Sequence, residues 1–153
     1  MKSWIALLML SCLLPGSACL AAEAGNGAAP IKFFVQVLRG TDETTPPENG
    51  AKLIGAKLQK QLQPMFRWRS YWEVQQKPMH VEEGKKAKTD LKGGHALEID
   101  LTTQGKRTVR LFRDNKLVRT LVCSRGQEFT IQGTDPGDGK VWFIVVRTDP
   151  PSI

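Results

Sequence analysis

Cysteine and histidine are scarce in this 153-residue chain, which holds three of the first and two of the second. His80, His95 and Cys123 show no zinc-ligand spacing, and a structural zinc site normally needs four such ligands. Neither a metal nor another cofactor is expected. A Walker A loop, a nucleophile elbow and a dinucleotide fingerprint are all missing, so the glycine-dependent phosphate and acyl chemistries have no carrier here. Asp135 and Asp138 lie among glycines but lack the alternating oxygen ligands and closing glutamate of an EF-hand loop. Internal repeats and low-complexity tracts are absent as well. Acid is outnumbered, with 15 Asp and Glu against 22 Lys and Arg and a formal charge of +7.

Long apolar runs are missing beyond the first 22 residues, and a membrane-spanning helix needs about 20 in succession. The start itself has the order of a secretory leader: Lys2, an apolar stretch from Trp4 to Leu14, then Pro15-Gly16 and small residues. Residues 1–22 are therefore read as a signal peptide cleaved between 18 and 24. Lipid attachment at Cys19 is the alternative exit, because Gly16-Ser17-Ala18-Cys19 resembles a lipoprotein box without its large aliphatic residue. The expected location is secreted or periplasmic. Residues 23–30 form a tether, 31–148 a single domain and 149–153 a tail. Only Cys123 survives processing after Ala22, so no internal disulfide can staple the domain.

The mature chain reads as α+β, β-dominated, with one amphipathic helix packed on a mostly antiparallel sheet or sandwich. Ile31 to Leu38 and Lys140 to Arg147 are apolar on both alternating faces, which predicts two central, adjacent strands. Thr45 and Glu48 have capping-box spacing, and Ile54, Leu58, Leu62 and Met65 recur at helical intervals, so a helix is expected from there to about Pro64. Phe66 to Val74 alternates aromatic and cationic residues, then slips at Tyr71-Trp72, predicting a bulged strand. Strands are also expected near Met79–Val81 and Lys86–Leu91.

Three turns predict a four-stranded meander over about 96–133. A loop with Gly105 at positive φ sets Ile99 against Val109 and Leu97 against Leu111. A primed turn at Asp114-Asn115 sets Leu111 against Val118, and a turn at Arg125-Gly126 sets Val122 against Phe129. The other face then aligns Glu98, Arg110 and Arg119, with Glu98 as the neutralising acid; Glu98→Ala is expected to cost more stability than Asp100→Ala.

Basic residues supply the functional signal. Lys106, Arg107, Arg110, Arg113, Lys116 and Arg119 share one hairpin and form the candidate anion-binding set. Trp68, Tyr71 and Trp72, interleaved with Arg67 and Arg69, are candidate aromatic contacts. Cys123, on an outward row near Arg125, is a candidate reactive thiol that could also form an intermolecular disulfide. His95 beside Gly93-Gly94 is read as a turn residue. The expectation is a noncatalytic interaction module for an anionic envelope polymer or an acidic protein, since a leader separates the chain from most nucleic acid. Two rivals stand beside it. One is a small extracytoplasmic hydrolase with an unrecognised carboxylate site; the other is a passive structural envelope component, marked by an apolar patch at Phe112, Leu117 and Leu121.

Overall fold

The computed structural model describes residues 29–135 and 140–151; the leader, most of the tether, Asp138 and the last two residues lie outside them. Two antiparallel sheets pack face to face, and a helix covers the outer face of one. The elements are β1 (Ile31–Thr41), β2 (Lys52–Leu53), α1 (Ala56–Leu62), β3 (Ser70–Val81), β4 (Lys86–Asp90), β5 (His95–Asp100), β6 (Lys106–Arg113), β7 (Lys116–Ser124), β8 (Phe129–Thr134) and β9 (Val141–Arg147). One sheet has the order β2-β3-β1-β9-β8; the other, β4-β5-β6-β7, is a four-stranded meander.

The doubly apolar strands are central and adjacent as their pattern requires. β1 pairs β9 antiparallel, with Val35 opposite Val146 and Val37 opposite Ile144. All seven residues of β9 are buried. Phe33, Val35, Val37, Ile144 and Val146 meet Leu97, Ile99, Val109 and Leu111 of the second sheet in the inter-sheet core. The opposite face of the first sheet, through Leu38, Tyr71, Phe143 and Val145, packs on Ile54, Leu58 and Leu62. Each fully buried aliphatic side chain contributes about 1.5–3 kcal/mol, so these two layers supply the stability that disulfides do not.

The helix is shorter than its sequence pattern. It spans seven residues and begins after Gly55, which occupies the N-cap with extended backbone. Thr45 and Glu48 cap nothing, because Glu48 instead ion-pairs with Lys92 at 2.6 Å. Met65 lies past the helix end and is 60 % exposed. Residues 66–69 precede the strand rather than open it. The register break in β3 also lies later than expected: Val37 faces Gln75 and Leu38 faces Glu73, leaving Val74 as the extra residue.

Turn chemistry set the first hairpin correctly. Gly105 has φ +71°, and Ile99 faces Val109 while Leu97 faces Leu111. Asp114 and Asn115 both have positive φ, 48° and 61°, as a type I′ turn requires. Beyond that turn a bulge intervenes. Phe112 faces Leu117 but Leu111 faces Arg119, so Val118 is extra and every later residue of β7 changes face. Arg110 therefore faces Thr120, not Arg119. The meander gains β4 at its start, and β8 leaves it to pair β9, with Ile131 opposite Ile144.

Candidate functional site

Strand face and position along the hairpin separate the six hairpin cations. Arg107 shares the inward phase of Val109 and Leu111 and is 1 % exposed. Its guanidinium lies over the rings of Phe33 (5.3 Å) and Phe129 (4.9 Å), and donates to the Gln127 carbonyl and, at 3.4 Å, to Cys123 Sγ. A cation held this way is a core member and cannot meet a ligand. Arg110 points outward but is consumed by two carboxylates, Glu98 at 2.7 Å and Asp100 at 2.9 Å. Lys106 is exposed at the far end of the hairpin. Arg113, Lys116 and Arg119 gather at the near end, around the Asp114-Asn115 turn.

That near end is where the two sheets open. His95 begins β5 as a buried strand residue, 6 % exposed, on the same phase as Leu97 and Ile99. Its ring lies 4.5 Å from that of Trp142, tilted at 58°. His95 Nδ1 donates to the Lys92 carbonyl at 3.1 Å, which in the neutral ring leaves Nε2 an acceptor. His95 Nε2 and Trp142 Nε1 are both buried with no hydrogen-bond partner. One unpaired acceptor and one unpaired donor thus sit in the same wall. Buried polar groups of this kind cost free energy until something satisfies them.

Two shallow clefts flank this wall. One, of about 220 Å³, is bounded by Arg39, Glu48 and Lys92; the other, of about 190 Å³, by Arg113, Arg119 and Thr134. Gly133 permits the second, because any side chain at this position would overlap the Trp142 indole. Charge at this end is unbalanced. Arg39 binds Asp135 at 2.5 Å and Arg113 stands 3.8 Å from the same residue and 4.0 Å from Asp114. Lys92 holds Glu48. Lys116 and Arg119 have no ion-pair partner among the described residues, so five cations face three carboxylates.

The remaining sequence candidates lie elsewhere. Tyr71 is fully buried, donates to the Phe66 carbonyl at 3.1 Å, and has its hydroxyl pKa raised chiefly by burial. Trp68 packs over Gly40 beside Phe143, and Trp72 is half-buried. Trp68 and Tyr71 belong to the helix-covered layer, whereas Trp72, opposite Arg39, alternates to the other face of β3, so the three form no stacking platform. Cys123 faces Arg107 on the inward row after the bulge, and its thiol donates to the Arg107 carbonyl at 3.6 Å. The apolar patch consists of Leu117 (54 % exposed), Val118 and Val122; Leu121 instead packs against the core.

Carboxylate chemistry is poorly served. Thr102, through its hydroxyl and its backbone N–H, and then Arg110 hold the Asp100 carboxyl at a pKa of about 2. A general acid needs the opposite shift. Among the described residues no three His, Cys, Asp or Glu side chains converge as metal ligands do, and no helix is long and apolar enough to cross a membrane. No protein-family model, curated protein or solved structure matches the chain.

Proposed function

We propose that this protein is a noncatalytic, extracytoplasmic interaction module that binds an acidic partner at the open end of its sandwich. The observation that carries the reading is the cationic excess around the unpaired His95 and Trp142 nitrogens. Carboxylates, phosphates or sulfates presented in series match shallow clefts better than a small molecule does, because small-molecule pockets are usually larger and more enclosed. The extracytoplasmic address rests on the leader pattern of residues 1–22.

Retention on immobilised polyglutamate tests it. The protein is expected to elute at a defined salt concentration, since exposed charge pairs are screened within about 10 Å at 0.1 M. The Lys116→Glu/Arg119→Glu double variant should elute at markedly lower salt than Lys86→Glu/Lys106→Glu, which makes the same charge change at the other end of the sheet. Equal elution of the two variants contradicts the assigned location.

A structural role in an envelope assembly is the second reading, favoured by exposed Leu117, Val118 and Val122. It requires self-association, which light scattering detects.

A further inference from the structure

The strand β7 ends its sheet with nothing beside it among the described residues. It is nine residues long, and Lys116 through Thr120 are all exposed. Leu117, Val118 and Val122 are three of the five exposed large apolar side chains among the described residues, at 54, 53 and 62 %. An edge of this kind carries unpaired backbone N–H and C=O groups and is a template for another strand.

We propose that β7 receives an extended segment of another protein, alternating apolar and acidic side chains, as the fifth strand of this sheet. The proposal deepens the acidic-partner reading by stating the form in which the acid arrives. The bulge at Val118 carries the argument. It makes Val118 and Arg119 together oppose Leu111, so Arg119 falls on the same face as Lys116, which opposes Arg113. Without the bulge, residues three apart would point to opposite faces. Two cations, two ladder positions apart, then line one face of the edge, while Leu117 and Val122 present the other. A strand with carboxylates at alternate positions and apolar residues between them meets both faces.

The same cations disfavour a second copy of this chain. β7 contains no acidic residue. Antiparallel pairing of two β7 strands about Thr120 would leave the two Arg119 side chains at diagonal positions, about 7–8 Å apart, without a neutralising acid.

Fluorescence anisotropy with synthetic nine-residue peptides tests the proposal on the intact protein. A peptide alternating valine and glutamate is expected to bind about tenfold or more tighter than its valine–lysine counterpart, because two charge pairs replace two like-charge contacts. Arg119→Glu should abolish that preference. N-methylation of one alternate set of peptide amides should eliminate binding, while methylation of the other set leaves it, because only one set faces β7. If both methylated peptides bind as well as the parent, strand addition is overturned while the electrostatic reading survives. If the glutamate peptide and polyglutamate both fail to bind, both readings fall. Dimerisation that the glutamate peptide does not compete away overturns the assigned occupant.

Discussion

Gly133 on β8 lies directly opposite Trp142 on β9, and a Cβ built at this glycine would overlap the six-membered ring of the indole. Glycine is therefore required by close approach and not by backbone angle. Trp142 in turn forms the shared wall of both clefts and stacks near His95. One missing methyl group thus links the edge of the first sheet to the geometry of the site.

Gly133→Ala is expected to destabilise the protein by about 1–3 kcal/mol, the usual range for overpacking a filled position. It should also shift the Trp142 indole resonance and weaken polyglutamate retention. A denaturant melt and an NMR spectrum of the variant check both. Unchanged stability would mean the indole can move aside freely.

Arg110 and its two acids give the second expectation, which reverses the one drawn from sequence. Glu98 meets Arg110 alone, whereas Asp100 also accepts from the backbone N–H and hydroxyl of Thr102, at 2.9 and 2.6 Å. Asp100→Ala should cost about 1–3 kcal/mol and Glu98→Ala no more than about 1 kcal/mol.

Acid unfolding should show the same residue. Asp100 titrates lower in the folded protein, near 2 against an ordinary 3.8, so the unfolded chain takes up its proton first. Its stabilisation is present above about pH 4 and is lost as pH falls towards 2. Asp100→Asn should flatten the stability profile in that window and leave its neutral-pH slope unaltered, as urea melts at a series of pH values would report.

Arg107 is expected to behave as a core residue. Arg107→Ala removes a stacked guanidinium between Phe33 and Phe129 and strips Cys123 of its donor, for a loss of about 2–4 kcal/mol. Arg107→Lys should not restore stability, because an ammonium cannot lie flat between two rings. Since Cys123 is turned inward, alkylation in the folded state should be slow compared with the unfolded chain, and non-reducing gels should show monomer.

Local patterns were legible in the sequence where a single turn or phase decides the outcome. Gly105 set the register of its hairpin, Asp114-Asn115 marked the next turn, and unbroken apolarity in Val141–Arg147 marked a strand covered on both sides. Val118 defeated the next step because a bulge depends on how β7 twists against β6, not on its own residue type. The departure of β8 to the other sheet was equally hidden: a turn at Gly126 says that the chain reverses, not which sheet receives it. Arg107 and His95 did leave a signal. Both occupy the apolar phase of their strands, with Val109 and Leu111 for one and Leu97 and Ile99 for the other, so alternation alone could have placed them inside.

Titration of isotopically labelled protein with polyglutamate, followed by NMR, tests the acidic-partner site most directly. Chemical shifts should move first at the Trp142 indole N–H, at Gly93–His95 and across Arg113–Arg119, and the changes should reverse in high salt. Shifts confined to Lys85–Lys88 and Lys106, or none at saturating polymer, would contradict a binding site at the open end of the sandwich.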